Sequence, residues 1–405
     1  MPLFYLIFAL PFNFNLLFRA WEQRKLRDIA NYRNGKAHEQ VEDEDGKYTI
    51  INSKFISTNG KVQRYTNEQV EPIFDGEIAM VLSDLPNGKA LAKLFLVKED
   101  GKYTLNQRIA GITPNENIDP IFLNFRMNRN NYFLKFDSGV TQTNLSKSQV
   151  ENFIALYPTF DEQYKIGLFF TQLDDTIALH QRKLEALKLM KKGFLQQMFP
   201  KSEEDVPKIR FTDFNGNWRQ CKLEEVADRV RGNDRRMELP TLTISASKGW
   251  LNQHERFFGN IAGKEQKNYT LLKKGQLSYN HGNSKSAKYG AVFVLRTYDE
   301  ALVPRIYHSF KTNILANSDF IEYLFATKIP DRELGKIVSS GARMDGLLNI
   351  NFNDFMSILI MLPFVEEQIK ISNFLIRLDK IISLYQNKLD QLIKLKKAYL
   401  QYLFI

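Results

Sequence analysis

The side chains able to do chemistry in this chain are few, and their spacing does not suit catalysis. The five histidines, His38, His180, His254, His281 and His308, are scattered, and none stands in an H-E-x-x-H or Cys/His pattern that would converge on a metal. The segment DGKYT occurs at 45–49 and again at 100–104. Neither copy has the earlier glycine or the strand-loop-helix setting of a phosphate-binding loop, so both read as a turn entering a strand. PDRELGK at 330–336 places its Glu and Lys wrongly for a nuclease carboxylate site, and no second acid follows at a useful distance. The catalytic, metal and cofactor-binding sets are therefore expected to be empty.

Binding chemistry is better represented, in polar loops. SYNHGNSKSAKYG at 278–290 gathers Asn280, His281, Asn283, Lys285 and Lys288 between two predicted strands. The corresponding loop of the first half, SDLPNGKALAK, carries Asn87, Lys89 and Lys93. A second pair of loops precedes the last apolar strand of each half: SGVTQTN with Thr141, Gln142 and Asn144, and SSGARMDG with Arg343. Amides match adenine and guanidinium matches guanine in the major groove, and cations reach phosphates, so these twelve residues are the candidate DNA contacts.

Loops of this kind need a frame, and the frame is written twice. WEQRKLRDIA at 21–30 answers WRQCKLEEVA at 218–227, and the segment 160–199 answers 365–404 at close to half of its positions. The two pairs keep the same order about 200 residues apart, so the chain is two tandem units, each a globular segment followed by a helix. In the helices, Ile166, Phe170, Leu173, Ile177, His180, Leu184 and Leu187 step by alternating four and three residues. The phase survives in Ile371, Leu375, Leu378, Ile382, Tyr385, Leu389 and Leu392. Each run predicts a helix of roughly 38 residues, or ~57 Å. So narrow an apolar stripe cannot be buried on its own globule, and its natural partner is the other copy, antiparallel within one chain. His180 is expected to be a seam residue, and Lys191, Lys192, Lys396 and Lys397 to lie beside the seam facing a partner or phosphates.

The globules read as α+β, about 140 residues each. In the first, KYTIINSKFIST, GEIAMVLS, LAKLFLV and KYTLNQRIAGI predict strands, with a tight hairpin turn at Asp100-Gly101, and DPIFLNFRMN predicts a short helix. In the second, TLTISAS, GQLSYNH, YGAVFVLRTYD and the closing run FMSILIMLP predict strands, and SDFIEYLFAT a helix. The globules differ from each other far more than the helices do. One scaffold thus presents two different surfaces.

Bulk properties agree. A chain of 405 residues exceeds one comfortable core, and 43% hydrophobic content supplies material for more than one. A net charge of +10 favours a polyanionic partner, and the single Cys221 excludes an internal disulfide framework and suits a reducing cytoplasm. Residues 1–20 are apolar but contain two prolines and two asparagines, which makes a poor spanning helix. They also lack the basic region and cleavage site of a signal peptide. No membrane partner is expected.

The tandem plan, the W-x-Q-x-K-L opening of each globule, VPKIRFTDFNGNW before the second, and helices ending KKGFLQQMF and KKAYLQYLF together resemble the specificity subunit of type I restriction-modification systems. The resemblance runs from Trp21 onward, and residues 1–20 stand outside it as an atypical apolar extension. It implies a first target recognition domain at 21–158, a central coiled-coil helix at 159–200, a second recognition domain at 201–363 and a C-terminal coiled-coil helix at 364–405. It implies a non-catalytic subunit in which each domain reads one half of a bipartite asymmetric site in double-stranded DNA. The paired helices would space the domains and carry methyltransferase subunits, and restriction/translocase subunits would complete the complex. S-adenosylmethionine, ATP and magnesium would belong to those partners. A stand-alone two-headed DNA-binding regulator and a scaffold that binds only protein remain open on the residues alone. A self-contained methyltransferase does not, because neither a glycine-rich cofactor loop nor an [N/D]-P-P-[Y/F] motif is present.

Overall fold

The computed structural model describes residues 21–38, 41–86, 88–201, 204–257, 263–282, 284, 287–338 and 347–404. Residues up to Leu179, together with those from Leu389, form one compact unit, and His180–Lys388 form the other. The repeated helices are Phe160–Gln197, of 38 residues, and Val365–Leu403, of 39. Asp161 and Glu162 open the first and Glu366 and Glu367 the second, where the positive end of the helix dipole favours carboxylates.

The two helices run antiparallel where they touch within each unit. In the first unit Phe169 meets Tyr399 at 5.2 Å, Phe170 meets Phe404 at 5.7 Å, and Lys396 pairs with Asp174 at 2.5 Å. In the second, His180 faces Tyr385 at 5.9 Å, Lys191 pairs with Asp379 at 2.5 Å, and Phe194 packs on Phe374 at 4.8 Å. All twelve aliphatic and phenylalanine seam positions named above are buried or half-buried. Each fully buried Leu or Ile contributes about 1.5–3 kcal/mol, against ~0.2–1 for a part-exposed ion pair, so the apolar seam holds the helices together. The charges set direction. Lys191 and Lys396 are equivalent positions, as are Asp174 and Asp379, so an in-register parallel pairing would set like charge beside like, whereas the antiparallel one pairs each Lys with an Asp. Two of the four lysines read as facing a partner or phosphates, Lys191 and Lys396, are thus spent inside the fold, each also lying over a ring, of Tyr323 and of Phe125.

Each globule is built on the same inner frame. The opening strand pairs with the closing one: Glu22–Lys25 with Ile154–Tyr157, and Arg219–Lys222 with Leu359–Leu362. A four-stranded antiparallel sheet follows, ordered Ala30–Asn34, Ile109–Pro114, Ile78–Val81, Leu94–Leu96 in the first unit. The second repeats the order with Ala227–Arg229, His308–Thr312, Leu277–Asn280, Ala291–Val294. A helix packs beside it, Pro120–Met127 capped by Asp119 or Ser318–Ala326 capped by Asn317. The long helices are tied to these caps identically, since Gln163 accepts the Asp119 amide at 3.1 Å and Gln368 accepts the Asn317 amide at 2.9 Å.

The helix ends cross over. Phe404 packs edge-on against Phe122 of the first globule at 5.4 Å and its carbonyl takes a hydrogen bond from Arg126. Phe199 packs against Phe320 of the second at 5.2 Å. Each globule is therefore completed by the tail of the helix belonging to the other repeat, which explains why the sequence keeps both tails alike.

The outer parts diverge. The first unit adds a four-stranded sheet ordered Tyr65–Thr66, Tyr48–Ile51, Tyr103–Leu105, Pro72–Ile73, with a parallel pair at its centre. The second adds two separate antiparallel pairs, Leu242–Ser245 with Gly249–Asn252 and Thr270–Lys273 with Glu300–Val303. Three strand readings are corrected here. KYTIINSKFIST stops being a strand at Ile51, because the Asn52 side chain accepts the Phe55 amide and caps a helix over Ser53–Ser57. Gly101, at φ +67°, makes the expected turn, but the strands flanking it belong to different sheets, so there is no hairpin. Phe355 and Met356 of the closing run lie in the helix Phe352–Met356, capped by Asn351.

Candidate nucleic-acid interface

In the first unit the structure brings the two candidate loops together, and in the second it joins one loop to the segment that follows the other. In the first, Ser83–Asp84 pairs antiparallel with Thr143–Asn144, and the Gln142 amide donates to Ser83 Oγ at 2.7 Å. The Asp84 carboxylate shapes the turn that follows, accepting the amides of Leu85 at 2.9 Å, Ala90 at 2.6 Å and Leu91 at 3.1 Å. This leaves Lys89, Thr141, Gln142 and Asn144 exposed along one edge, while Lys93 is half-buried and donates to the Ser57 carbonyl at 3.4 Å. In the second unit Gly282 bridges to Leu347, and the Leu348 amide donates to the His281 carbonyl at 2.8 Å. The segment that begins at Leu347 is thereby joined to the loop starting at Asn280. Asn87, Asn283, Lys285 and Arg343 lie outside the described residues.

Two candidates of the second loop turn inward. His281 is 2% exposed, with Nδ1 2.6 Å from the Leu348 carbonyl and Nε2 3.0 Å from the Ile306 carbonyl. Its ring stacks on His308 at 5.0 Å with planes 10° apart. It fastens the loop and is not a surface contact. Asn280 is half-buried, donating to the Ile244 carbonyl at 3.3 Å and accepting the Gly282 amide at 3.1 Å. Lys288 stays exposed, 5.2 Å over the Tyr289 ring. Burial pushes His308 down to about 4, assisted by the nearby charges of His281 and Arg229 and opposed by its bond to the Ile350 carbonyl.

Basic surface also gathers where the loop reading did not look. A cavity of about 460 Å³ in the first unit is lined by Lys54, Arg64 and Arg108 with Asn52 and Asn106, and Glu42 pairs with Arg64 at 3.0 Å. A cavity of about 230 Å³ in the second is lined by Arg229, Arg231 and Arg305. The run VRGNDRR, immediately after the repeated opening block, was the available signal for the second; the first has none in sequence. Among the described residues no group of three His, Cys, Asp or Glu is placed to hold a metal, and no helix is long and apolar enough to cross a membrane.

Residues 19–189 match the family model of the type I restriction modification DNA specificity domain. The type I restriction enzyme MjaVIII specificity subunit of Methanocaldococcus jannaschii is 23% identical over 406 residues, covering 95% of this chain and 92% of that protein. The putative MjaX specificity subunit of the same organism is 24% identical over 196 residues, covering 45% of this chain and 46% of that protein. Among solved structures, a type I restriction-modification S subunit from M. genitalium superposes with a TM-score of 0.58 at 13% identity, covering 95% of this chain and 96% of the other. A chain from a structure concerned with complex assembly and conformational transition of the type I restriction-modification system gives 0.50 at 16% identity, covering 95% and 97%. With the repeated openings, the paired helices and the two-globule fold in place, residues 19–189 carry the type I restriction modification DNA specificity domain, and the chain along 95% of its length is similar in sequence and fold to type I restriction-modification specificity subunits.

Proposed function

We propose that each globule reads one half of a bipartite, asymmetric site in double-stranded DNA, and that the helix pair fixes the gap between the halves. The observation that carries this is the contrast within each unit. The inner frame repeats strand for strand and the helices repeat their pairing, while the loop edges and outer strands they hold are unlike. A scaffold kept alike under surfaces kept different suits two unlike half-sites. On the first unit the exposed edge of Lys89, Thr141, Gln142 and Asn144 supplies amide, hydroxyl and cation for base edges and phosphates. On the second, the exposed Lys288 supplies a cation.

The chain works in the cytoplasm without bond-making chemistry of its own. Methyltransferase subunits dock on the helices, restriction/translocase subunits join them, and S-adenosylmethionine, ATP and magnesium belong to those partners. The test is to co-express the full chain with its methyltransferase partner and map modified adenines genome-wide. Two unlike half-sites separated by a fixed run of unread bases is the expected pattern. A single continuous motif, or a palindromic one, would contradict the reading.

A further inference from the structure

Arg229 and Arg231 lie two residues apart, at and just past the end of the strand Ala227–Arg229, so the alternation of a strand turns both to one face and Asp228 to the other. Arg305 reaches the same place from the segment leading into His308–Thr312, which is hydrogen-bonded alongside through the Val230 amide and the Ser309 carbonyl at 2.9 Å. All three arginines line the 230 Å³ cavity with Gly232, Asn268 and Ser309, and no acidic residue lines it among the described residues. All three arginines are exposed, and none forms an ion pair among the described residues. Elsewhere in this unit Arg210, Arg219, Arg236 and Arg296 each hold a carboxylate within 3 Å. Arg229 is further fixed in place, its guanidinium 4.2 Å over the Phe352 ring. Burial and then the charge of Arg231 depress its affinity for a proton.

In the first unit the equivalent strand carries Arg33, and there the charge is met, with Glu77 at 2.6 Å and Glu71 at 3.2 Å. Among the described residues, the equivalent strand of the first unit carries no such unpaired arginine cluster. It borders the loop edge already described, since the Ile306 carbonyl next to Arg305 faces His281 and the Ile350 carbonyl faces His308. Guanidinium groups bind phosphate oxygens as a planar fork, more specifically than a lysine point charge does. We propose that Arg229, Arg231 and Arg305 form a clamp for a backbone phosphate of the DNA duplex, setting the register of the second unit on its half-site without reading a base. This rests on the DNA-binding reading above.

The test measures binding of the full chain to a random-sequence duplex by fluorescence anisotropy across a salt series, comparing wild type with the double variant R231Q/R305Q. Both side chains are exposed, and an unchanged melting temperature would show that the fold is kept. The clamp predicts roughly tenfold weaker binding of every duplex sequence and a salt-dependence slope lower by about 1, for the one phosphate no longer neutralised. R231K/R305K should restore the slope, while Lys274→Gln, which removes a lysine already paired with Asp299 at 3.1 Å, should change neither quantity. Equal affinity and slope for wild type and R231Q/R305Q would overturn the clamp and leave the DNA-binding reading standing. No duplex binding by the wild type would overturn both. Weakened binding of inorganic phosphate alone, with duplex binding intact, would assign the cluster to a free anion and overturn the clamp.

Discussion

Glu162 and Glu367 occupy the same position of the repeat and have different partners. In the first unit Glu162 accepts the indole N–H of Trp21 at 3.2 Å. In the second, Glu367 is fully buried and is gripped by both arms of Arg210, at 2.8 and 2.7 Å, and the indole N–H of Trp218 has no partner among the described residues. The repeated backbone survives either arrangement. Duplication thus preserves the apolar packing, Phe404 on Phe122 and Phe199 on Phe320, more strictly than it preserves any one polar contact, because the apolar contacts supply most of the stability while a hydrogen bond adds about 1 kcal/mol net.

That contrast can be broken most severely at the helix tails. Phe199 is 1% exposed, so Phe199→Ala should destabilise the second unit by about 3–5 kcal/mol, whereas Phe404→Ala, at a half-buried site, should cost the first about half as much. Chemical denaturation followed by tryptophan fluorescence distinguishes them, since Trp21 and Trp218 sit beside the respective tails. Next is the unlike glutamate pair: Glu367→Gln leaves Arg210 facing a neutral partner and should cost about 3 kcal/mol, against under about 1 for Glu162→Gln. Equal losses would show that the two sites are energetically alike after all.

A pH titration sharpens the comparison further. His308 has no histidine counterpart in the first unit, where Ala110 stands in the equivalent strand position. Its folded value of about 4 lies below the ordinary 6.5, so in the unfolded chain it takes up a proton first as pH falls. Its contribution to stability is complete above 6.5 and is lost as pH drops from there towards about 4. Thermal melts over that window should show the second unit weakening, and His308→Gln should flatten the loss. The smallest effect is expected from the seam ion pairs: a double-mutant cycle on Lys191 and Asp379 should return a coupling of ~0.2–1 kcal/mol, matched by the cycle on Lys396 and Asp174.

The helices were legible in sequence because a repeat of apolar residues is a local signal, and two in-phase copies leave few partners to choose between. Of the inner strands, Ile78–Val81, Leu94–Leu96, Leu277–Asn280 and Ala291–Val294 were legible from their apolar runs, whereas Ala30–Asn34, Ala227–Arg229 and His308–Thr312 were not singled out. What required the structure was long-range. Nothing near Ser83 announces Asn144, and nothing near His281 announces the Leu348 carbonyl, so neither pairing could be read from the sequence. Composition also misled where a polar residue is spent internally. An Asn- and His-rich loop looks the same whether His281 faces DNA or fastens a turn, and Lys191 looked free until Asp379 arrived from the other helix. The Asn52 cap shows a single side chain overriding strand propensity over five residues.

The spacing role of the helices is tested most directly by lengthening both together, with four residues inserted before Leu184 and four before its equivalent, Leu389, so that the seam stays matched. This adds ~6 Å, about two base pairs of duplex. Mapping of modified adenines should then return the same two half-sites separated by a longer gap. An unchanged gap, or altered half-sites, would contradict a helix pair that measures the distance between two independent reading heads.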